Sequence, residues 1–213
     1  MNSPRRRLPD PIMLIGLALA FVFFGLTFRG PRSRFWQRMT WTGLTLGGLS
    51  LIAEPKLRRT RFGPREVAWG LGSAGILYLI FQIGDRLARL ILPQGSAEIG
   101  AIYGLEKLRP RQELAARLAF IIGPAEELFW RGLVQARLIK HFGALPGYVL
   151  GTAAYGGAHL VTGNFTLIGA ATVAGAFWGG LAALGIPLEA LIISHSFWDV
   201  FIFLIAPTVK KEK

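Results

Sequence analysis

Residues 123–132 of this chain read GPAEELFWRG and lie in an otherwise apolar segment. They place two carboxylates, Glu126 and Glu127, and one cation, Arg131, among apolar neighbours. A charge at the centre of a bilayer costs roughly 2.5–3.5 kcal/mol on insertion scales, so three unpaired charges would cost on the order of 10 kcal/mol. Because Glu127 and Arg131 are four residues apart, they share a helix face and are predicted to pair.

Glu126 has no cation on its own helix face, because its side chain points about 100° away from the face that Glu127 shares with Arg131. A membrane carboxylate without a partner on its own helix marks a candidate functional site. In the alternative interpretation, this end of the helix lies among the lipid headgroups and water solvates both glutamates.

The composition is that of a membrane protein. Of the 213 residues, 52% are hydrophobic and 17% are charged, which is too apolar for an ordinary soluble domain. The net charge is +12, but the basic residues lie between the apolar segments, as in loops that face anionic lipid. We therefore expect this charge to meet the lipid bilayer and not nucleic acid. The lack of cysteine excludes disulfides, thiolate catalysis and cysteine-based metal sites.

Apolar segments recur along the whole chain. Helices are predicted over residues 11–28, 39–53, 67–83, 113–139, 145–161, 165–184 and 188–206. No A-x-A-like cleavage site follows the first segment, which is therefore expected to be retained. The second is short and fits either a span or a re-entrant or interfacial piece.

Charged residues and helix-breaking residues indicate the structure of the regions between these segments. Residues 84–92 are predicted as an amphipathic surface helix, residues 93–111 as a polar loop, and Gly123-Pro124 as a break or kink in its helix. The predicted fold is all-α, a polytopic membrane helix bundle. It has six to seven transmembrane helices around a conical or bundle-enclosed polar cavity, in a single domain over residues 1–213.

Two further polar pairs lie inside apolar segments, Tyr155 with His159 and His195 with Asp199. In both, the spacing of four residues puts the two side chains on one helix face. Taken alone, His159 could be a histidine hydrogen-bonded between helices, and His195 with Asp199 could be a buried structural pair. Together with Glu126, they are the groups that activate a water and stabilise an oxyanion, or that hold a divalent metal.

The ordered set Glu126-Glu127-x-x-x-Arg131, Tyr155-x-x-x-His159 and His195-x-x-x-Asp199 resembles the CAAX-protease and bacteriocin-processing (CPBP, Abi-type) family. Its eukaryotic members are prenyl-protein endopeptidases. The resemblance covers residues 111–207, expected as the catalytic core, whereas the helices and amphipathic segment of residues 1–110 carry no motif. Tyr155 stands where phenylalanine is frequent, and Asp199 stands where the prenyl-protein endopeptidases have asparagine.

The resemblance implies an intramembrane endopeptidase that cuts near the C-terminus of a lipidated or membrane-bound protein or peptide. Glu126 would be the general base that deprotonates the attacking water, and His159 would position that water or assist the proton transfer. His195 and Asp199 would stabilise the oxyanion. Glu127 is expected to pair with Arg131 and hold the turn of Glu126, and Tyr155 is expected to have a packing role. The chain is expected in a prokaryotic cell membrane.

Asp199 leaves the role of a metal open. An ionised aspartate cannot donate to an oxyanion, so Asp199 must be protonated, orient His195, or bind a metal. Glu126, His159, His195 and Asp199 would make a four-ligand site for zinc. However, the H-E-x-x-H motif of soluble zinc proteases is missing. We favour a water activated by Glu126 without a metal.

Two other functions fit part of the pattern. The family also contains bacteriocin-immunity proteins, so the alternative is a non-catalytic immunity or scaffold membrane protein. Membrane Glu, His and Asp side chains also form the proton relays of transporters. The sequence has no internal repeat that would support a transporter.

Overall fold

The computed structural model describes residues 10–91 and 95–208, apart from the side chains of residues 88–91 and 96, and every regular element there is helical. The α-helices are α1 (Pro11–Arg29), α2 (Phe35–Ala53), α3 (Pro64–Ile91), α4 (Gly95–Tyr103), α5 (Arg111–Arg117), α6 (Gly123–Glu127), α7 (Ala136–Phe142), α8 (Ala144–Ala158), α9 (Phe165–Ala183) and α10 (Leu188–Val200). Short 3-10 helices lie at Arg32–Arg34, Pro55–Arg59, Gly104–Leu108 and His159–Thr162. The predicted all-α class is confirmed.

Local signals in the sequence set several of the helix ends. The carboxylate of Asp10 accepts hydrogen bonds from the first N–H groups of α1, and the side chain of Asn164 does the same for α9. Gly143 and Gly163 follow helix ends with φ angles of 91° and 65°, a region that favours glycine.

Residues 111–142 form one continuous helix, the long helix, which contains α5, α6 and α7. Two of its stretches are π-helical, Leu118–Ile122 and Leu128–Gln135. The N–H of Gly123 donates to the carbonyl of Leu118, five residues earlier, and this wider turn accommodates Pro124, which has no N–H. Of the predicted break or kink at Gly123-Pro124, the break is therefore wrong, because the helix widens there and continues.

Four helices of the described chain are long and apolar enough to cross a membrane: Pro11–Arg29, Pro64–Leu87, Phe165–Ala183 and Leu188–Ile205. The predicted six to seven spans are not confirmed. α2 is long enough, but polar residues interrupt its sequence. α8 has 15 residues, whereas a span needs about 20.

The polar loop predicted over residues 93–111 is also wrong, since it contains α4 and a 3-10 helix. The carboxylate of Glu98 in α4 accepts hydrogen bonds from the hydroxyl and the N–H of Thr166, at 2.6 and 2.8 Å. These bonds lower the pKa of Glu98 and attach α4 to the start of α9. The predicted amphipathic segment continues α3 to Ile91, and residue 92 lies outside the described residues.

α2 packs against the turn that carries the two glutamates. A Cβ atom on Gly47 would lie 3.0 Å from the Cβ and 3.3 Å from the Cα of Ala125, the residue before Glu126. A Cβ on the next residue, Gly48, would have no atom within 4 Å. Gly47 therefore permits the close approach of α2 to the long helix, as small residues do in membrane bundles.

We expect Gly47→Leu to destabilise the protein and Gly48→Leu to leave its stability nearly unchanged. Overpacking at Gly47 should cost about 1–3 kcal/mol, because the backbone of Ala125 must move. Thermal unfolding of both variants in detergent tests this. Equal unfolding temperatures for the two would show that α2 does not pack on the glutamate turn.

Candidate active site

Glu127 lies at the centre of a buried ionic cluster. Its side chain is completely buried, and its Oε1 atom accepts hydrogen bonds from the guanidinium of Arg131 at 2.8 Å and from Nδ1 of His195 at 2.7 Å. The predicted pairing of Glu127 with Arg131 is confirmed. The cluster also joins the long helix to α10, which the sequence did not indicate.

Arg131 extends this cluster to two more helices. Its second terminal nitrogen donates to the carbonyl of Gly175 in α9 at 3.3 Å. The guanidinium also lies 4.7 Å from the ring centroid of Tyr155 in α8 and 5.5 Å from that of Trp178 in α9. These contacts replace water around a charge that has little solvent access.

Glu126 points away from Glu127, as predicted, and finds its partner on another helix. The hydroxyl of Tyr155 donates to Oε2 of Glu126 at 2.9 Å. Oε1 of Glu126 takes no hydrogen bond from the described residues. The expectation that Tyr155 only packs is therefore incomplete, because its hydroxyl binds the proposed base.

His159 is held by the same tyrosine. Its Nδ1 lies 2.9 Å from the backbone carbonyl of Tyr155, which can only accept, so Nδ1 carries a proton. The ring lies edge-to-face with Phe24, at a centroid distance of 5.1 Å. Nε2 is therefore the atom of His159 that is free to contact a water or substrate.

His195 is fixed on both its edge and its face. Nδ1 donates to Glu127, and the ring stacks on Trp178 with centroids 3.9 Å apart and planes 20° apart. Nε2 lies 3.6 Å from Oδ2 of Asp199, which is beyond hydrogen-bond distance. In this structure Glu127, and not Asp199, orients His195.

Trp178 is the site residue that the sequence analysis missed. Its Nε1–H donates to the hydroxyl of Ser194 at 3.0 Å, which fixes the plane on which His195 rests. A lone tryptophan within the small-residue segment of α9 was the available signal. The small residues of α9 leave space for the site, since a Cβ on Gly175 would lie 2.8 Å from Cδ1 of Tyr155.

The side chains converge on one cavity of about 170 Å³, lined by Glu126, Tyr155, His159, His195 and Asp199. Most of its other lining residues are apolar. A larger chamber of about 460 Å³ adjoins it, with walls from α3, α4, α9 and α10. Both spaces are lined by Phe81, Trp198, Asp199 and Phe203.

The zinc site considered from the sequence, with Glu126, His159, His195 and Asp199 as ligands, stays a prediction. Among the residues that the structure describes, no three His, Asp or Glu side chains are grouped so that they could hold one metal ion. Two of the four candidates already have other bonds, Glu126 to the tyrosine hydroxyl and His195 to Glu127.

Comparison with known families bears directly on this site. Residues 113–201 match the model of the family described as type II CAAX prenyl endopeptidase Rce1-like. This match supports the CAAX-protease resemblance of the sequence motifs. This Rce1-like region contains every side chain of the cavity that was proposed from the sequence, from Glu126 to Asp199. No curated protein and no solved structure matches the chain.

The match to the Rce1-like family indicates a protease that acts on a protein or peptide at the membrane. Together with the four apolar helices, it shows an integral membrane protein. The Rce1-like region includes Phe165–Ala183 and most of Leu188–Ile205, and α1 and α3 come from the part of the chain before it.

We expect Glu127→Gln to destabilise the protein far more than Glu126→Gln. Loss of the charge at residue 127 leaves Arg131 buried without its counterion, at a cost of about 3–5 kcal/mol. At residue 126, glutamine still accepts from the Tyr155 hydroxyl. Thermal unfolding of the two variants provides the comparison, and equal losses would contradict the central role of Glu127.

Proposed function

We propose that this protein is an intramembrane endopeptidase that cleaves a peptide bond near the C-terminus of a membrane-associated protein, with a prenylated CAAX-type protein as the substrate class. The observation that carries the proposal is the shared cavity. Glu126, His159, His195 and Asp199 come from three separate helical segments and line one space inside the bundle.

Glu126 is the general base of the proposed reaction. Its Oε2 is bound by Tyr155, and Oε1 takes the proton of the attacking water. His159 holds that water through Nε2, since its Nδ1 proton is donated to a carbonyl. The hydroxide then attacks the scissile carbonyl carbon, and protonated Glu126 returns its proton to the leaving amine.

His195 supports the oxyanion that this attack creates. With Nδ1 bound to Glu127 and the ring stacked on Trp178, Nε2 has a fixed direction. Nε2 must carry a proton to donate to the oxyanion. Asp199 lies 3.6 Å from this atom and, in its protonated form, adds a second donor.

The apolar chamber beside the cavity suits the lipid part of such a substrate. Its walls are mainly aliphatic and aromatic side chains, and it meets the cavity at Phe81 and Asp199. A lipid chain in this chamber would place the peptide that follows it next to Glu126. The burial of the chain would contribute about 0.8 kcal/mol per CH2 group to binding.

We expect Glu126→Gln to lower the cleavage of a quenched farnesylated C-a-a-X peptide at least about 100-fold, because the general base is lost. Glu113→Gln, on the same helix but outside the cavity, serves as the matched control and should keep full activity. A chelator should leave the wild-type rate unchanged. A rate that falls with the chelator and returns with zinc would overturn the metal-free mechanism.

The Glu126→Gln variant also distinguishes an enzyme from a non-catalytic immunity or scaffold protein. If Glu126→Gln keeps its folded state and full cleavage, the proposed base is wrong. If it keeps the biological activity of the protein in cells although no peptide is cleaved, the non-catalytic alternative is favoured.

We expect Gly169→Phe to raise KM for the farnesylated peptide about tenfold, because the phenyl ring fills space in the chamber wall. KM for the same peptide without lipid should stay unchanged. Gly75→Phe on α3 is the control, since a Cβ there also meets no atom within 4 Å but lies outside the chamber. Equal KM changes for both peptides would show that the chamber does not hold the lipid.

A further inference from the structure

Tyr155 contacts more of the proposed catalytic groups than any packing role requires. Its hydroxyl donates to Oε2 of Glu126 at 2.9 Å. Its backbone carbonyl accepts the Nδ1 proton of His159 at 2.9 Å. One residue thus binds both the base and the histidine that positions the water.

The ring of Tyr155 is itself held firmly. It lies edge-to-face with Trp130 at a centroid distance of 5.2 Å, and the guanidinium of Arg131 lies 4.7 Å from its centroid. On α9, Gly175 lacks the Cβ that would come within 2.8 Å of the ring. The side chain is 5% exposed, so its hydroxyl has a defined position.

From this arrangement we propose that Tyr155 is a positioning residue for Glu126, a role that rests on the proposed function. The hydroxyl occupies Oε2 and fixes the rotation of the carboxylate, so that Oε1 faces the water held by His159. A phenylalanine at this position would keep the ring contacts and leave the carboxylate free to rotate.

The hydroxyl proton stays on Tyr155 throughout the reaction. As Glu126 takes a proton from water at Oε1, Oε2 becomes the carbonyl oxygen of a neutral acid and still accepts from the hydroxyl. When the proton passes to the leaving amine, the carboxylate returns to its first state. Tyr155 therefore orients the carboxylate that transfers the proton and does not exchange a proton itself.

We expect Tyr155→Phe to lower kcat about tenfold or more and to leave KM unchanged, because a hydrogen bond to a charged group is lost while the ring remains. Tyr148→Phe removes the same atom from the same helix outside the cavity and should keep the wild-type kcat. Gly175→Ala should also lower kcat by displacing the ring, whereas Gly180→Ala, whose Cβ would lie 3.8 Å from its nearest neighbour, should not.

A spectroscopic measurement tests the contact without relying on activity. The chain has four tyrosines, so NMR of protein labelled at the tyrosine Cζ carbon gives few signals, and Tyr155→Phe assigns the one of interest. We expect Glu126→Gln to shift the Tyr155 signal, because its acceptor loses its charge, and to leave the Tyr148 signal in place.

The outcomes distinguish this proposal from the proposed function. Full activity of Tyr155→Phe with an inactive Glu126→Gln overturns the positioning role alone. A Tyr155 signal that does not shift in Glu126→Gln also overturns the positioning role. Any loss of kcat in Tyr155→Phe is then due to packing. Full activity of Glu126→Gln overturns the proposed base and the positioning role together.

Discussion

The carboxylate of Glu127 is the group on which the part of the molecule that carries the candidate active site depends. It is completely buried, and a single oxygen binds both Arg131 and His195. Charges removed from water in this way are tolerated only when geometry and additional hydrogen bonds compensate them. The compensation comes from four helical segments, since Arg131 also reaches the Gly175 carbonyl and the ring of Tyr155. The ionic cluster therefore fixes the helices that carry the site, and its position decides where the cavity can form.

The long helix can carry this cluster because its backbone departs from regular α-helical geometry. π-helical stretches lie on both sides of α6, so Glu126 and Glu127 stand on a short α-helical segment between two wider ones. Close approaches on two sides hold that segment in place. Gly47 of α2 admits Ala125, and a Cβ on Gly123 would lie 2.9 Å from the Cα of Ser196 in α10, next to His195. The two glutamates thus face different partners although they are neighbours in sequence.

Because of this geometry, the two glutamates have different contacts and different proposed roles. Glu127 binds Arg131 and His195 through Oε1 and orients His195, whereas Glu126 lines the cavity and accepts the neutral hydroxyl of Tyr155 on Oε2. A base needs a free oxygen and a fixed direction, and Glu126 has both. The apolar surroundings also limit access to water, which strengthens each electrostatic contact in the cavity. In the proposed reaction, Trp178 fixes His195 and Tyr155 fixes Glu126, and neither needs to react itself.

The sequence alone determined the all-α class, most helix positions, the Glu127–Arg131 pair and the set of polar residues that line the cavity. These features depend on short-range regularities, namely apolar periodicity and pairs spaced by four residues on one helix face. Only the tertiary structure decided that His195 binds Glu127, that Tyr155 binds Glu126, and that Trp178 supports His195, because these contacts join residues 16 to 68 positions apart or on different helices. The sequence also predicted a break or kink at Gly123-Pro124, where the structure has a continuous helix with a π-helical turn. Proline excludes one hydrogen bond, but packing against α2 and α10 determines whether a helix ends there or widens.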